Sequence, residues 1–146
     1  VCEVNSSDCQ TFTSENETTL HIVPMTTLKA GTEYEYTVSY TIGSQQYHVK
    51  AHRFKTLPSH SKGYNFYLYG DSRALINRHS HIVQQMVKDS YRDDALFVIH
   101  AGDFVNYGYS WDLWNTNFFE AATPLFQELP IIPVPGNHEQ NQPRHR

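Results

Sequence analysis

The sequence predicts an α/β fold, a βαβαβ unit built on a parallel sheet and preceded by a smaller all-β segment. Two observations carry this expectation. Beyond residue 63, three short apolar runs are separated by stretches of helical periodicity: YNFYLY (Tyr64–Tyr69), LFVIHA (Leu96–Ala101) and the IIPV that opens Ile131–Glu139. Strand, helix, strand, helix, strand is the order of a parallel sheet with right-handed crossovers. Before residue 58 the apolar residues instead alternate with polar ones in short runs broken by turn residues, the texture of antiparallel strands.

Residues 1–18 are polar and turn-rich apart from VCEV, which leaves room for one short strand. LHIVPM (Leu20–Met25), EYEYTVSY (Glu33–Tyr40) and YHVKAHRF (Tyr47–Phe54) are expected to be strands, separated by Lys29-Ala30-Gly31-Thr32 and by Gly43-Ser44. LPSHSK (Leu57–Lys62) is a Pro/Ser linker, so the expected division is an all-β part over 1–57, a linker over 58–63 and an α/β part over 64–146. Ile76, His79, Ile82, Val83, Met86 and Val87 recur at helical spacing and predict an amphipathic helix over Asn77–Asp89. Trp111, Trp114, Phe118, Ala122, Leu125 and Leu129 mark a second helix, started by Ser110 and interrupted or restarted at Pro124. Pro133 removes a ladder donor, so the last strand should be short.

All three apolar runs end on polar residues: Gly70-Asp71, Gly102-Asp103 and Gly136-Asn137-His138-Glu139. In a parallel sheet these endings fall on one edge, where ligands of open α/β sheets bind. Two carboxylates, an amide oxygen and a histidine converging there suit a hard cation. A Gly-Asp pair alone is more often a turn than a ligand; three such endings in one frame, the last the rarer GNHE, single this edge out.

Composition narrows the function classes. Eleven Lys and Arg against 15 Asp and Glu give a net charge of −4, without the broad basic surface of a nucleic-acid binder. No apolar run approaches the roughly 18 residues needed to cross a bilayer, and the N-terminus has no charged-then-apolar signal pattern. The chain begins at Val1, as a processed chain or a fragment would. Cys2 and Cys9, the only cysteines, either close a small disulfide loop or stand as unrelated thiols; a zinc site would need two more ligands nearby. Asn5-Ser6-Ser7 and Asn16-Glu17-Thr18 match the N-glycosylation acceptor pattern and, with the paired cysteines, point to a secreted, extracellular or endomembrane-lumen location.

The order GD, GD, GNHE, with FVIHAGD around the second ending, resembles the calcineurin-like metallophosphoesterases. LKAGTEYEY (Leu28–Tyr36) resembles the fibronectin type III turn in which a tyrosine packs back as the tyrosine corner, a place Tyr34 would fill. A module of that kind in front narrows the resemblance to the purple acid phosphatase branch, over residues 19–140. The implied fold is the βαβαβ half of a calcineurin-like phosphoesterase sandwich, preceded by a partial fibronectin type III-like domain, because a complete one needs about 100 residues and about 7 strands. The implied site is a dinuclear centre of Fe, Zn or Mn. Asp71 would ligate one metal, Asp103 would bridge the two, and Asn137 would bind the second through its amide oxygen. His138 would sit beside the substrate phosphate as an electrostatic stabiliser or as proton donor to the leaving group. A bridging carboxylate lets two cations sit about 3.5–4 Å apart, where they activate water and clamp phosphoryl oxygens. Glu139 is better placed to hold His138 or the loop than to ligate.

The chain departs from the family pattern in three places. Where the wider family has Asp-x-His, and the purple branch a Gly in place of that His, this chain has Asp71-Ser72-Arg73. Arg73 is expected to grip the substrate phosphate bidentately; the alternative is an ion pair with Asp71 or Asp103 that weakens metal binding. His79, inward-facing by periodicity, is either a core histidine or a replacement for the missing ligand. Second, the tyrosine of GDxxY is Asn106 here and Tyr107 comes one residue late, so no Fe(III)-tyrosinate is expected. Third, the family's remaining histidine ligands, including a GHxH ending, do not follow, and His145 has no strand before it. Half the metal shell is thus encoded, and the chain alone should bind metal weakly. The expectation is a secreted metal-dependent phosphoesterase acting on a phosphate ester, with no membrane span and an open oligomeric state. The alternative is an extracellular binding module with a degenerate esterase half, contacting a partner through its fibronectin-like half.

Overall fold

A computed structural model of the chain describes residues 1–16, 18–60 and 63–140. The backbone divides into two compact units, Val1–Ser61 and Lys62–Arg146.

In the first unit, β1 (Cys2–Glu3), β2 (Glu33–Tyr36) and β5 (His52–Lys55) form an antiparallel sheet in the order β1-β2-β5, while β3 (Ser39–Ile42) and β4 (Gln45–His48) pair as a hairpin. Cys2 and Cys9 are joined in a disulfide, so neither thiol is available to a metal. Tyr34 is buried, stacks on Phe54 and accepts the Lys29 N–H on its hydroxyl at 2.8 Å. Two expectations need correcting. EYEYTVSY and YHVKAHRF are not single strands: the first divides between β2 and β3, the second between β4 and β5. Leu20–Met25 forms no strand, and Leu20 and Ile22 are exposed. Alternation says which side chains share a face but supplies no partner strand, and Pro24 removes a donor from the run.

In the second unit, β6 (Asn65–Tyr69), β7 (Ala95–His100) and β8 (Ile131–Pro133) form a parallel sheet with β7 in the centre. α1 (Ile76–Asp93) connects β6 to β7 and runs past the expected Asp89. The chain offers no glycine to stop it there; Asp94 takes the left-handed cap conformation at φ 45° and donates its N–H to the Ser90 carbonyl. The second crossover is α2 (Trp111–Leu113), a π-helical stretch (Trp114–Phe119) and α3 (Glu120–Phe126). The irregularity expected at Pro124 therefore lies upstream of it. Pro124 is inside α3, and Thr123 Oγ1 donates to the Phe119 carbonyl at 2.6 Å just before it. Val83 of α1, Ala95 and Val98 of β7, Leu125 of α3 and Leu129 make one buried cluster, so both helices cover the same face of the sheet. Right-handed crossovers between neighbouring parallel strands require this. On the other face Phe66, Leu68 and Ile132 are exposed and Phe66 stacks on Phe97. Among the described residues, no helix is long and apolar enough to cross a membrane.

Candidate metal centre

The three strand endings meet at the C-terminal edge of the parallel sheet, and backbone hydrogen bonds tie them together. Asp71 N–H donates to the Gly102 carbonyl at 3.0 Å, Arg73 N–H to the Asp103 carbonyl at 3.1 Å, and Val134 N–H to the His100 carbonyl at 2.9 Å. Asp71 and Asp103 both turn the chain in the left-handed region, at φ 54° and 56°, which aspartate tolerates better than most residues. Gly102 and Gly136 let the second and third endings touch backbone to backbone. A Cβ on Gly102 would lie 2.5 Å from the Gly136 nitrogen, and one on Gly136 would fall on the Asp103 carboxylate.

Glu139 closes this junction from below. Its Oε2 accepts the N–H groups of Gly136 at 2.7 Å and Asp103 at 2.9 Å, and its Oε1 accepts that of Phe104 at 2.9 Å. It therefore holds the Asp103 loop and does not point at the site's centre. Asp103 is buried, with Oδ1 accepting the His138 N–H at 3.2 Å and Oδ2 accepting from Arg73 Nη1. The same Arg73 nitrogen donates to Asp71 Oδ1 at 2.8 Å. His138 donates Nδ1–H to the Asn106 carbonyl at 2.7 Å, leaving Nε2 4.0 Å from Asp103 Oδ2.

The structure thus brings Asp71, Arg73, Asp103 and His138 together. Asn137 lies between Gly136 and His138, both packed on Asp103; its own side chain is exposed and makes no hydrogen bond among the described residues. His79 is buried, with Nε2 3.3 Å from Tyr69 Oη and its ring against Phe118; burial pushes its pKa down. Tyr107 is exposed and lies beside Tyr109. His145 lies outside the described residues.

A cation fits the two carboxylates, because they already share one, the Arg73 guanidinium. They do not complete a cage by themselves: among the described residues no group of three or more His, Cys, Asp or Glu is placed to hold a metal ion.

The profile of the calcineurin-like phosphoesterases matches residues 44–146. The chain belongs to this family. Among solved structures, the purple acid phosphatase isolated from yellow lupin (Lupinus luteus) seeds is similar at a TM-score of 0.64 and 19% identity, over 82% of this chain and 23% of its own length. The likeness is one of fold, and this chain spans under a quarter of the lupin protein. No curated protein sequence is similar enough to count as a match.

Beneath this edge lies a polar layer that the sequence did not assign. His100 Nδ1 accepts the Gly102 N–H at 3.3 Å, so Nε2–H donates to the buried Ser72 Oγ at 2.9 Å. Burial pushes the His100 pKa down to about 4, with His79 adding to the effect, so the ring is neutral. Ser72, pinned in this way, turns its neighbours Asp71 and Arg73 outward. The available signal was a histidine inside the otherwise apolar FVIHA run.

Proposed function

We propose that the protein is a metal-dependent phosphoesterase that hydrolyses a phosphate ester at the edge formed by Asp71, Asp103 and Gly136–Glu139. The observation that carries this proposal is the convergence of Asp71 and Asp103 on a single cationic nitrogen, in a chain of the calcineurin-like family. Asp71, Asp103 and the Asn137 amide oxygen would hold two metal ions of the Fe, Zn or Mn kind. When bound, such ions supply Lewis acidity and a water of lowered pKa.

The chain's own residues do the remainder. Glu139 fixes the Asp103 backbone and the His138 N–H holds its carboxylate before any ligand arrives, so little reorganisation is left for the reaction itself. The Asn106 carbonyl holds the His138 proton on Nδ1 and keeps Nε2 at the site, where its protonated form can give a proton to the leaving oxygen. Arg73 offers a planar pair of N–H groups to phosphate oxygens. The first unit is proposed to be fibronectin type III-like, on the strength of the Tyr34 hydroxyl bonded five residues upstream, with its boundary in the 58–63 linker. A secreted or lumenal location is supported by the Cys2–Cys9 disulfide and by exposed acceptors Asn5 and Asn16.

The test is hydrolysis of p-nitrophenyl phosphate by the native polypeptide that carries this chain. Turnover should vanish with EDTA, return with Zn²⁺ or Mn²⁺, and fall at least about a hundredfold in Asp103→Asn and His138→Ala. Turnover indifferent to both chelation and Asp103→Asn would refute the proposal.

A further inference from the structure

Arg73 occupies the point on which the two site carboxylates converge. Its Nη1 is bonded to Asp71 Oδ1 and to Asp103 Oδ2, and Asp103 Oδ1 is taken by the His138 N–H. A guanidinium and a metal ion cannot both stand there, because they would share the same oxygen lone pairs and repel at contact distance. Yet only the tip of Arg73 is committed to this place. Its backbone is fixed by the N–H bond to the Asp103 carbonyl and by the neighbouring Ser72, which His100 holds in the core. Its side chain is part-exposed and long, so the head can leave while the loop stays.

We propose that Arg73 is an exchangeable counter-cation. In the metal-free protein its guanidinium neutralises Asp71 and Asp103; a divalent ion binds by displacing that head, which is then free to meet an anion on the metal. This rests on the metal centre proposed above. It makes metal affinity the outcome of a competition, and it accounts for a buried carboxylate kept paired without metal.

The test is Zn²⁺ binding to the native polypeptide that carries this chain, by calorimetry, with Asp103→Asn defining which binding belongs to this site. Arg73→Met should bind Zn²⁺ at least about tenfold tighter than wild type, and Arg73→Lys should fall between the two. In EDTA, Arg73→Met should melt below wild type, and saturating Zn²⁺ should close that gap. A second readout needs no variant to fold beyond signal assignment: in wild type, the Nε–Hε NMR resonance of Arg73 should move as Zn²⁺ fills the site. Equal Zn²⁺ affinity in wild type and Arg73→Met, or an Arg73 resonance that stays still at saturation, overturns the inference and leaves the metal centre standing. Absence of Asp103-dependent Zn²⁺ binding from every protein overturns both.

Discussion

Asp71 and Asp103 end neighbouring parallel strands, adopt the same left-handed backbone and share one guanidinium, but their surroundings differ. The Asp103 side chain is 12% exposed, bonded by the His138 N–H, and mounted on a loop whose amides converge on Glu139. The Asp71 side chain is 81% exposed and, among the described residues, is held only by Arg73. Backbone hydrogen bonds tie both endings, but at Gly102 and Gly136 a Cβ would collide with the neighbouring ending, whereas the exposed Asp71 carboxylate rests on a side chain that can exchange partners. A fixed carboxylate beside an adjustable one would suit the site proposed above, which admits a cation and then a substrate.

This asymmetry ranks the effects of mutation. Gly136→Ala should be the most damaging, since its methyl would fall on the Asp103 carboxylate and 2.5 Å from the Asp103 nitrogen. A loss of at least about 3 kcal/mol in urea unfolding is expected, and near-neutrality would show that the two endings are not in contact. Glu139→Gln should follow, at about 2–3 kcal/mol, because an amide would turn N–H groups against the backbone N–H donors that the carboxylate now satisfies. Hydrogen exchange at Asp103 and Phe104 should rise in the same variant.

The layer below the endings predicts a pH effect. His100 is depressed to about 4 from 6.5, so the folded chain binds fewer protons than the unfolded one in that window. Its contribution is fully present above about pH 6.5 and is lost as the pH falls towards 4, with a slope approaching about 1.4 kcal/mol per unit. Urea midpoints measured across this window should flatten in His100→Gln; an unchanged slope would assign the acid sensitivity elsewhere. The smallest effect belongs to Asp71→Asn. An exposed ion pair contributes about 0–1 kcal/mol, so this variant should unfold close to wild type while Asp103→Asn does not. Equal losses in the two would erase the contrast between the endings.

Much of the second unit was legible in the sequence because its signals are local. Five apolar positions and His79 at helical spacing marked α1, and three apolar runs ending GD, GD and GNHE placed Asp71, Asp103 and His138 at one edge of a parallel sheet. What escaped depends on partners far along the chain. Leu20–Met25 alternates like a strand, but nothing in it reveals that no partner lies beside it. The π-helical stretch at Trp114–Phe119 has the same apolar spacing as an α-helix and betrays no wider turn. Ser72 and His100 are 28 residues apart, and their bond exists only because β6 and β7 run side by side. Arg73 stood out as a departure from the family pattern, and the alternative read for it, an ion pair with Asp71 or Asp103, is the arrangement found; that it reaches both carboxylates at once depends on the loops.

Anomalous diffraction at the manganese edge, from crystals of the native polypeptide soaked in Mn²⁺, would locate the cation directly. The expected result is a peak about 2 Å from carboxylate oxygens of both Asp71 and Asp103, with the Arg73 head displaced. Arg73 still spanning both carboxylates at saturating Mn²⁺, with no peak between them, would contradict a metal centre at this edge.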